Sequence, residues 1–325
     1  MKKKIFGVGA ALMDVLAQVS DEYLETLGSP KGGMTLVDDA KSQQLMLECS
    51  EKASVVAGGS ACNTLVGISR LGGESSFVGK VGIDELGQSF ESSIIKNGVT
   101  SHLIKSDSCT GRVVSLITPD AQRTMFTFLG ASAEVSTENL KGANFIDCGI
   151  VHIEGYLAFN EPVFRLVLEL AKAAGALVSL DLASFEVVQF KNDLLKEVIP
   201  KYVDILIANE DEAAAYCDKG LNEEEMLEFL SKEADIAVLK IGSRGSMINK
   251  LGELTRVNAV KVDAIDTTGA GDLWAAGFLF GLSKQKKISI CGEMGSIVAS
   301  EVVKVIGAEI DDNRWDFILQ RIKGL

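Results

Sequence analysis

Asp266-Thr267-Thr268-Gly269-Ala270-Gly271-Asp272 is the stretch whose reading decides the fold. Ahead of it, Val257 to Ile265 alternates β-branched and apolar residues with polar ones, which predicts a strand. Behind it, Leu273-Trp274-Ala275-Ala276-Gly277-Phe278-Leu279-Phe280 is a mostly apolar run, which predicts a buried helix. Two glycines at such a junction remove side-chain bulk where free backbone N–H groups emerge. Those donors and the positive end of the helix dipole suit an anion, such as a phosphoryl group in transfer. Asp272 falls within or just before the first helical turn, beside that anion hole. A carboxylate there is placed to take a proton from an attacking hydroxyl. The plainer reading makes Thr267 or Thr268 an N-cap, the glycines a tight turn, and Asp272 a helix-dipole partner.

The bulk numbers narrow the class. A chain of 325 residues, 47% hydrophobic and only 6% aromatic, suits a large aliphatic α/β core. Lys and Arg total 32 against 45 Asp and Glu, a net charge of −13, which argues against nucleic-acid or anionic-membrane partners. Cys49, Cys62, Cys109, Cys148, Cys217 and Cys291 form no Cys-x-x-Cys pair, so reduced thiols in a cytoplasmic protein are expected. His102 and His152 are the only histidines, too few for a histidine metal cluster. The basic Met1-Lys2-Lys3-Lys4 precedes an apolar run that Asp14 closes early, so a first strand is read there, not a leader. No segment approaches the ~18 consecutive apolar residues of a membrane span.

Along the chain, Ile5 to Asp14 reads as a buried strand leading to a lone carboxylate. Its Gly7-Val8-Gly9 lacks the third glycine of a dinucleotide fingerprint, which disfavours a dehydrogenase. Val15 to Val19, Gly33 to Val37, Gly111 to Thr118 and Arg123 to Phe128 are alternating segments that look too exposed for a main sheet. The last two flank Pro119-Asp120-Ala121-Gln122, a hairpin signal. Together they predict a small β-layer within about 15–37 and 111–128, able to close over a substrate or to pair two copies. In Gly58-Gly59-Ser60-Ala61-Cys62-Asn63-Thr64, Ser60 is read as the cap of a helix to Leu71 with Asn63 on its first turn. From Asn139 on, strands at Ile146–Ile153, Ala176–Asp181 and Ile205–Ile207 alternate with helices at Pro162–Ala174, around Phe190–Val198 and from Glu210. That spacing predicts an α/β fold, a doubly wound, mostly parallel sheet flanked by helices, in one domain spanning 1–325. Asn209 with Glu212 forms a capping-box pattern. Ala237 to Lys240 runs as a strand into a Gly242-Ser243-Arg244-Gly245 turn, and Ile288 to Val305 reads as an amphipathic helix.

In order, Asp14, Gly58-Gly59 with Asn63, Gly79 to Gly87, Asn209-x-x-Glu212, Gly242 to Gly245 and Asp266 to Asp272 resemble the motifs of the ribokinase family, the PfkB-type carbohydrate and nucleoside kinases. The resemblance covers essentially the whole chain. It implies ATP-dependent phosphorylation of a small-molecule hydroxyl, with Asp272 as base and the amides of Gly269, Ala270 and Gly271 on the transferring phosphoryl group. It implies substrate contacts from Asp14, Gly58, Gly59 and Asn63, and ATP contacts from Asn209, Lys240, Gly242, Gly245 and Thr267. Glu212 would act through water on Mg²⁺, and Asp266 and Thr268 would lend oxygens to a K⁺ ion. Gly307-Ala308 and Asn313 would lie near the adenine or that cation. No Gly-Lys-Ser/Thr P-loop offers a competing ATP site.

The acceptor is less legible. Asp181-Leu182-Ala183-Ser184-Phe185 departs from the Asp-x-Asn-x-Arg pattern of many sugar-kinase members, and it lacks their arginine clamp. It looks closer to the adenosine-kinase branch, in which a Phe borders the base; Pro30 to Thr35 points the same way. A nucleoside, adenosine first, is therefore favoured over fructose, ribose or 2-keto-3-deoxygluconate. A non-catalytic nucleotide or sugar sensor would be expected to lose Asp272 or the glycines, and both are kept.

Overall fold

Strand–helix alternation leaves a chain one economical solution, a parallel sheet with helices packed on both faces. The computed structural model describes residues 3–29, 31–49, 53–120, 122–141 and 145–325. Met1 and Lys2 of the basic run, Pro30 of the Pro30–Thr35 stretch and Ala121 of the hairpin turn lie outside the described residues. The strands are β1 (Lys4–Val8), β2 (Leu12–Gln18), β3 (Met34–Leu36), β4 (Ser54–Gly58), β5 (Ser75–Val78), β6 (Lys80–Gly82), β7 (Thr100–Ser101), β8 (Ile104–Ser106), β9 (Gly111–Ile117), β10 (Arg123–Phe128), β11 (Cys148–Glu154), β12 (Leu177–Asp181), β13 (Ile205–Asn209), β14 (Ile236–Lys240), β15 (Ser246–Lys250) and β16 (Glu253–Val257). The helices are α1 (Asp21–Thr26), α2 (Asp39–Cys49), α3 (Ser60–Arg70), α4 (Glu85–Lys96), α5 (Thr137–Leu140), α6 (Glu161–Ala173), α7 (Phe185–Tyr202), α8 (Glu210–Tyr216), α9 (Glu223–Leu230), α10 (Ala270–Ser283), α11 (Ile288–Val302) and α12 (Asp312–Ile322).

The large sheet has the order β16-β15-β14-β13-β12-β11-β1-β5-β7 and is parallel except at β14-β15 and β15-β16. One apolar core, with residues of α6, α7, α8 and α9, covers one face. A second, with residues of α3, α4, α10, α11 and α12, covers the other. Helix α10 is buried on every side from Leu273 to Ser283, which its all-round apolar sequence demands. Gly277 lets it approach α11, since a Cβ there would lie 2.6 Å from the Met294 carbonyl oxygen. Among the described residues no helix is long and apolar enough to cross a membrane.

A five-stranded sheet, β3-β10-β9-β2-β4, stands apart from the large one. Here the structure corrects two expectations and adds a strand. Ile5 to Asp14 is not one strand: the chain leaves the large sheet after Val8, crosses Gly9-Ala10-Ala11, and enters the small sheet at Leu12. Strand β4 belongs to the small sheet, although its short sequence gave no distinct signal. The layer is exposed at its β3 and β4 edges but not over its middle strands, because α1 and α2 lay Leu24, Leu45 and Cys49 on one of its faces against Val15, Ala17, Val114, Leu116 and Phe126. By strand alternation, Asp14 and Leu16 point to the opposite face. A Cβ on Gly307 would overlap the Leu16 side chain, so that face rests against the loop between α11 and α12.

Val257 to Ile265 is also corrected. Only Val257 belongs to a strand, the end of edge strand β16; the following residues run mostly exposed, without ladder partners, until Ile265 and Asp266 donate to the Val303 carbonyl. Alternation alone did not supply a neighbour to pair with.

Candidate active site

Parallel strands end at one edge, so their last residues are gathered without further design. Glu154 ends β11, Asp181 ends β12, Asn209 ends β13 and Lys240 ends β14. Register sets Glu154 beside Asp181 and Asn209 beside Lys240. Above this edge the amino ends of α3 and α10 meet, each preceded by glycine with positive φ, Gly59 at 95° and Gly269 at 72°.

Gly269 itself is the N-cap of α10, so the plainer reading with Thr267 or Thr268 in that role does not hold. The left-handed backbone explains the glycine, and a Cβ there would lie 2.6 Å from that of Ala308. Thr268 instead donates its N–H (2.9 Å) and its hydroxyl (2.7 Å) to Asp266 Oδ1, while the Gly307 N–H donates to Asp266 Oδ2 (2.8 Å). Asp266 thus clamps the loop from Thr268 to Gly307. The Ala270 N–H is engaged by the Thr267 carbonyl at 3.1 Å, and Thr267 is exposed. The N–H groups of Gly269, Gly271 and Asp272 have no acceptor among the described residues.

Asp272 is the third residue of α10 and is held from α3. Ser60 Oγ donates to its Oδ1 (2.7 Å) and Asn63 Nδ2 to its Oδ2 (2.9 Å), while Thr64 Oγ1 donates to its carbonyl (3.1 Å). Ser60 is therefore not the cap of α3; Gly59 occupies that position and Ser60 serves the carboxylate. Burial raises the Asp272 pKa, the bonds from Asn63 and Ser60 oppose the rise, the Asp181 charge adds to it, and Lys240 opposes it. An acid shifted toward working pH is a better proton acceptor once ionised.

Lys240 Nζ donates to Asp181 Oδ2 at 2.8 Å. Asn209 and Glu212 form the capping box in full: Glu212 N–H to Asn209 Oδ1 (2.9 Å), Asn209 N–H to Glu212 Oε2 (2.7 Å), and Asn209 Nδ2 to Glu212 Oε1 (2.8 Å). Glu212 is only 3% exposed, and burial raises its pKa despite Lys240. Gly242 and Gly245 bracket the turn after β14 with φ of 53° and 101°. A side chain on Gly245 would overlap the Val257 carbonyl, whereas Gly242 faces open space.

On the small-sheet side, burial lifts the Asp14 pKa to about 6, Arg123 opposes the lift, and Asp272 and Asp266 add to it. Gly58 is required there, since a Cβ on it would overlap the Asp14 carboxylate. Three contributors escaped the sequence reading. Glu154 accepts the N–H groups of Ala10 (2.8 Å) and Ala61 (2.9 Å), tying the passage between the two sheets to the start of α3. Burial is the main reason its pKa rises to about 7. Arg123 and Ser60 are the other two. The carboxylate at the end of an apolar strand was a findable signal for Glu154; the others depend on which segments the fold brings together.

Comparison with known proteins adds to this geometry. A family model described as pfkB family carbohydrate kinase matches residues 25–315. The chain belongs to that family. As a pfkB-family member it is a phosphotransferase that uses ATP and a hydroxyl acceptor, and its ribokinase-like α/β fold is that of adenosine kinase structures. It is similar to the adenosine kinase of Sinorhizobium meliloti, at 30% identity and a TM-score of 0.91 over 99% of this chain and 100% of that one. A probable sugar kinase from Rhizobium etli CFN 42 matches with 29% identity and a TM-score of 0.91, over 98% of each chain. The nucleoside kinase of Methanocaldococcus jannaschii is 29% identical over 269 residues, 82% of this chain and 85% of its own.

Proposed function

We propose that this pfkB-family kinase transfers the γ-phosphoryl group of ATP to a hydroxymethyl group of a nucleoside, adenosine first. The observation that carries the chemistry is Asp272, held by Ser60 and Asn63 beside the free amides of Gly269, Gly271 and itself. In this reading Asp14 and Asn63 hold acceptor hydroxyls, with Gly58 and Gly59 keeping the wall close. Asp272 takes the hydroxyl proton, and the Gly269–Asp272 turn receives the transferring group. Ala270 contributes backbone shape, not a donor. Lys240, Asn209, Thr267 and the Gly242–Gly245 turn line the nucleotide side, and Arg123 adds positive charge from the small sheet. The described residues act as one unit in which the small sheet is the lid.

The donor set fits Mg²⁺. Each Glu212 oxygen accepts one bond from Asn209 and keeps a lone pair, a suitable outer ligand through water. No group of three His, Cys, Asp or Glu side chains among the described residues is arranged to hold a metal. Bound there, Mg²⁺ would neutralise phosphate charge. A K⁺ ion at Asp266 and Thr268 is the finer proposal. Asp266 is buried, and among the described residues its oxygens meet only neutral donors of Thr268 and Gly307. Activity should rise when KCl replaces NaCl; equal rates would sink the cation. A homodimer through the small sheet would have to use its β3 or β4 edge, since α1 and α2 cover one face and the cleft lies at the other.

The adenosine preference is supported by the Sinorhizobium meliloti enzyme and by Phe185, 43% exposed at the first position of α7. The Rhizobium etli neighbour, equally similar in structure, supports a sugar acceptor instead. ADP release from Mg-ATP with adenosine, inosine, fructose, ribose and 2-keto-3-deoxygluconate separates them. Turnover on nucleosides alone is expected. Turnover on a sugar keeps the mechanism and overturns the acceptor, and ATP binding without turnover on any acceptor favours the sensor.

A further inference from the structure

Lys240 sits where nucleotide binding alone does not require it. Its ammonium donates one hydrogen bond, to Asp181 Oδ2, with the two side chains 14% and 5% exposed. A Cβ built on Gly271 would lie 3.1 Å from Nζ. The ammonium therefore rests against the second residue of α10, beside the free amides of Gly271 and Asp272. Its two remaining N–H groups have no acceptor among the described residues. Burial works against its charge, but Asp181, Glu212 and Asp272 outweigh burial and raise its pKa, so Lys240 stays protonated at neutral pH. A structural ion pair alone needs neither two unused donors nor a glycine at 271.

We propose that Lys240 is a catalytic residue of the phosphoryl transfer: held by Asp181, its ammonium contacts the phosphoryl oxygens while the group passes from nucleotide to acceptor. This rests on the kinase reading above. In the step, the acceptor oxygen bonds to the γ-phosphorus as its proton passes to Asp272. The bond from γ-phosphorus to the bridging oxygen breaks, and its electron pair leaves with ADP. Lys240 keeps its proton throughout. Charge spreads over the equatorial oxygens in that transition state, so a fixed cation there acts without reorganising. Asp181 is the positioning residue, because it fixes the ammonium before the nucleotide arrives.

The test compares two ligands on wild type, Lys240→Met and Asp181→Asn: Mg-ADP, and Mg-ADP with aluminium fluoride, which mimics the transferring group. We expect Lys240→Met to bind Mg-ADP within about threefold of wild type while losing about 10²- to 10³-fold both in affinity for the fluoride complex and in kcat. Asp181→Asn should lose about tenfold in the same two quantities, with little change in the KM for ATP. Lys240→Arg keeps the charge and should recover part of the fluoride affinity, limited by its larger head against Gly271. Equal weakening of both ligands, or of neither, would overturn the proposal, as would wild type that binds the fluoride complex no more tightly than ADP. Wild-type turnover on the acceptor panel tests the kinase reading separately. A wild type silent there, with the fluoride preference intact and lost in Lys240→Met, would indict the acceptor and not Lys240.

Discussion

Helices α3 and α10 begin alike and use their beginnings differently. Each follows a glycine with positive φ, and neither N-cap has a capping side chain. At α3 the Ala61 N–H is satisfied internally by Glu154, leaving that of Cys62 without an acceptor among the described residues, and the first turn gives its side chains, Ser60 and Asn63, to Asp272. At α10 the first-turn amides of Gly271 and Asp272 have no acceptor among the described residues. One helix start has a buried carboxylate on one of its donors and spends its side chains on Asp272; the other has no side chain on its Gly271 and Asp272 donors among the described residues. A glycine-led helix is therefore not in itself a phosphate site; what matters is whether a buried acceptor already occupies its donors.

The contrast breaks hardest at Asp272. Asp272→Asn should cut kcat by ~10²–10⁴, the usual worth of a general base, with ATP affinity nearly unchanged. Near-normal turnover would make α10 only an anion site. The clamp is probed next: Ser60→Ala and Asn63→Ala each remove a hydrogen bond to a charged group, worth about 1.5 kcal/mol, and should each lower kcat about tenfold. If steady-state rates with saturating acceptor stay unchanged in both, α3 does not position the base.

Acidity gives an effect of similar or smaller size on the small-sheet side. The folded pKa of Asp14, about 6, lies above its ordinary 3.8, so the native state holds this proton more tightly than the unfolded chain. Its ionisation therefore costs stability as pH rises through 6, whereas contact with a hydroxyl uses the ionised form. The acceptor KM should rise about five- to tenfold between pH 7 and pH 5. A flat profile there would separate Asp14 from the acceptor. Last come the glycines. Gly269→Ala forces a left-handed alanine against Ala308 and should cost about 1–3 kcal/mol, while Gly242→Ala, with φ of 53° and open space, should cost about 1. Thermal melts compare them, and equal losses would mean that the close approach to Ala308 is relieved elsewhere.

The local geometry of the candidate site was readable because its signals are short-range. Asp272 after two glycines, and Asn209 with Glu212, are short-range patterns whose geometry follows from a helix start. The strand over Val257–Ile265 failed because period-2 alternation reports a two-faced segment, not a paired one. Threonine as the α10 cap and serine as the α3 cap failed for a related reason. Both hydroxyls found a better acceptor, Asp266 two residues earlier and Asp272 far along the chain. The exposed flap held only at its β3 and β4 edges, because α1 and α2 fold back to cover one face of the middle strands.

By itself the sequence determined the mostly parallel sheet and the glycine-led start of α10 with Asp272 on its first turn, since periodicity and helix-end chemistry act over a few residues. Tertiary structure alone decided that Ser60 and Asn63 hold that base, that Glu154 ties the two sheets to α3, and that Lys240 lies against Gly271. Those contacts join segments up to 212 residues apart, and only the shared carboxyl edge of the parallel strands brings them within hydrogen-bond reach.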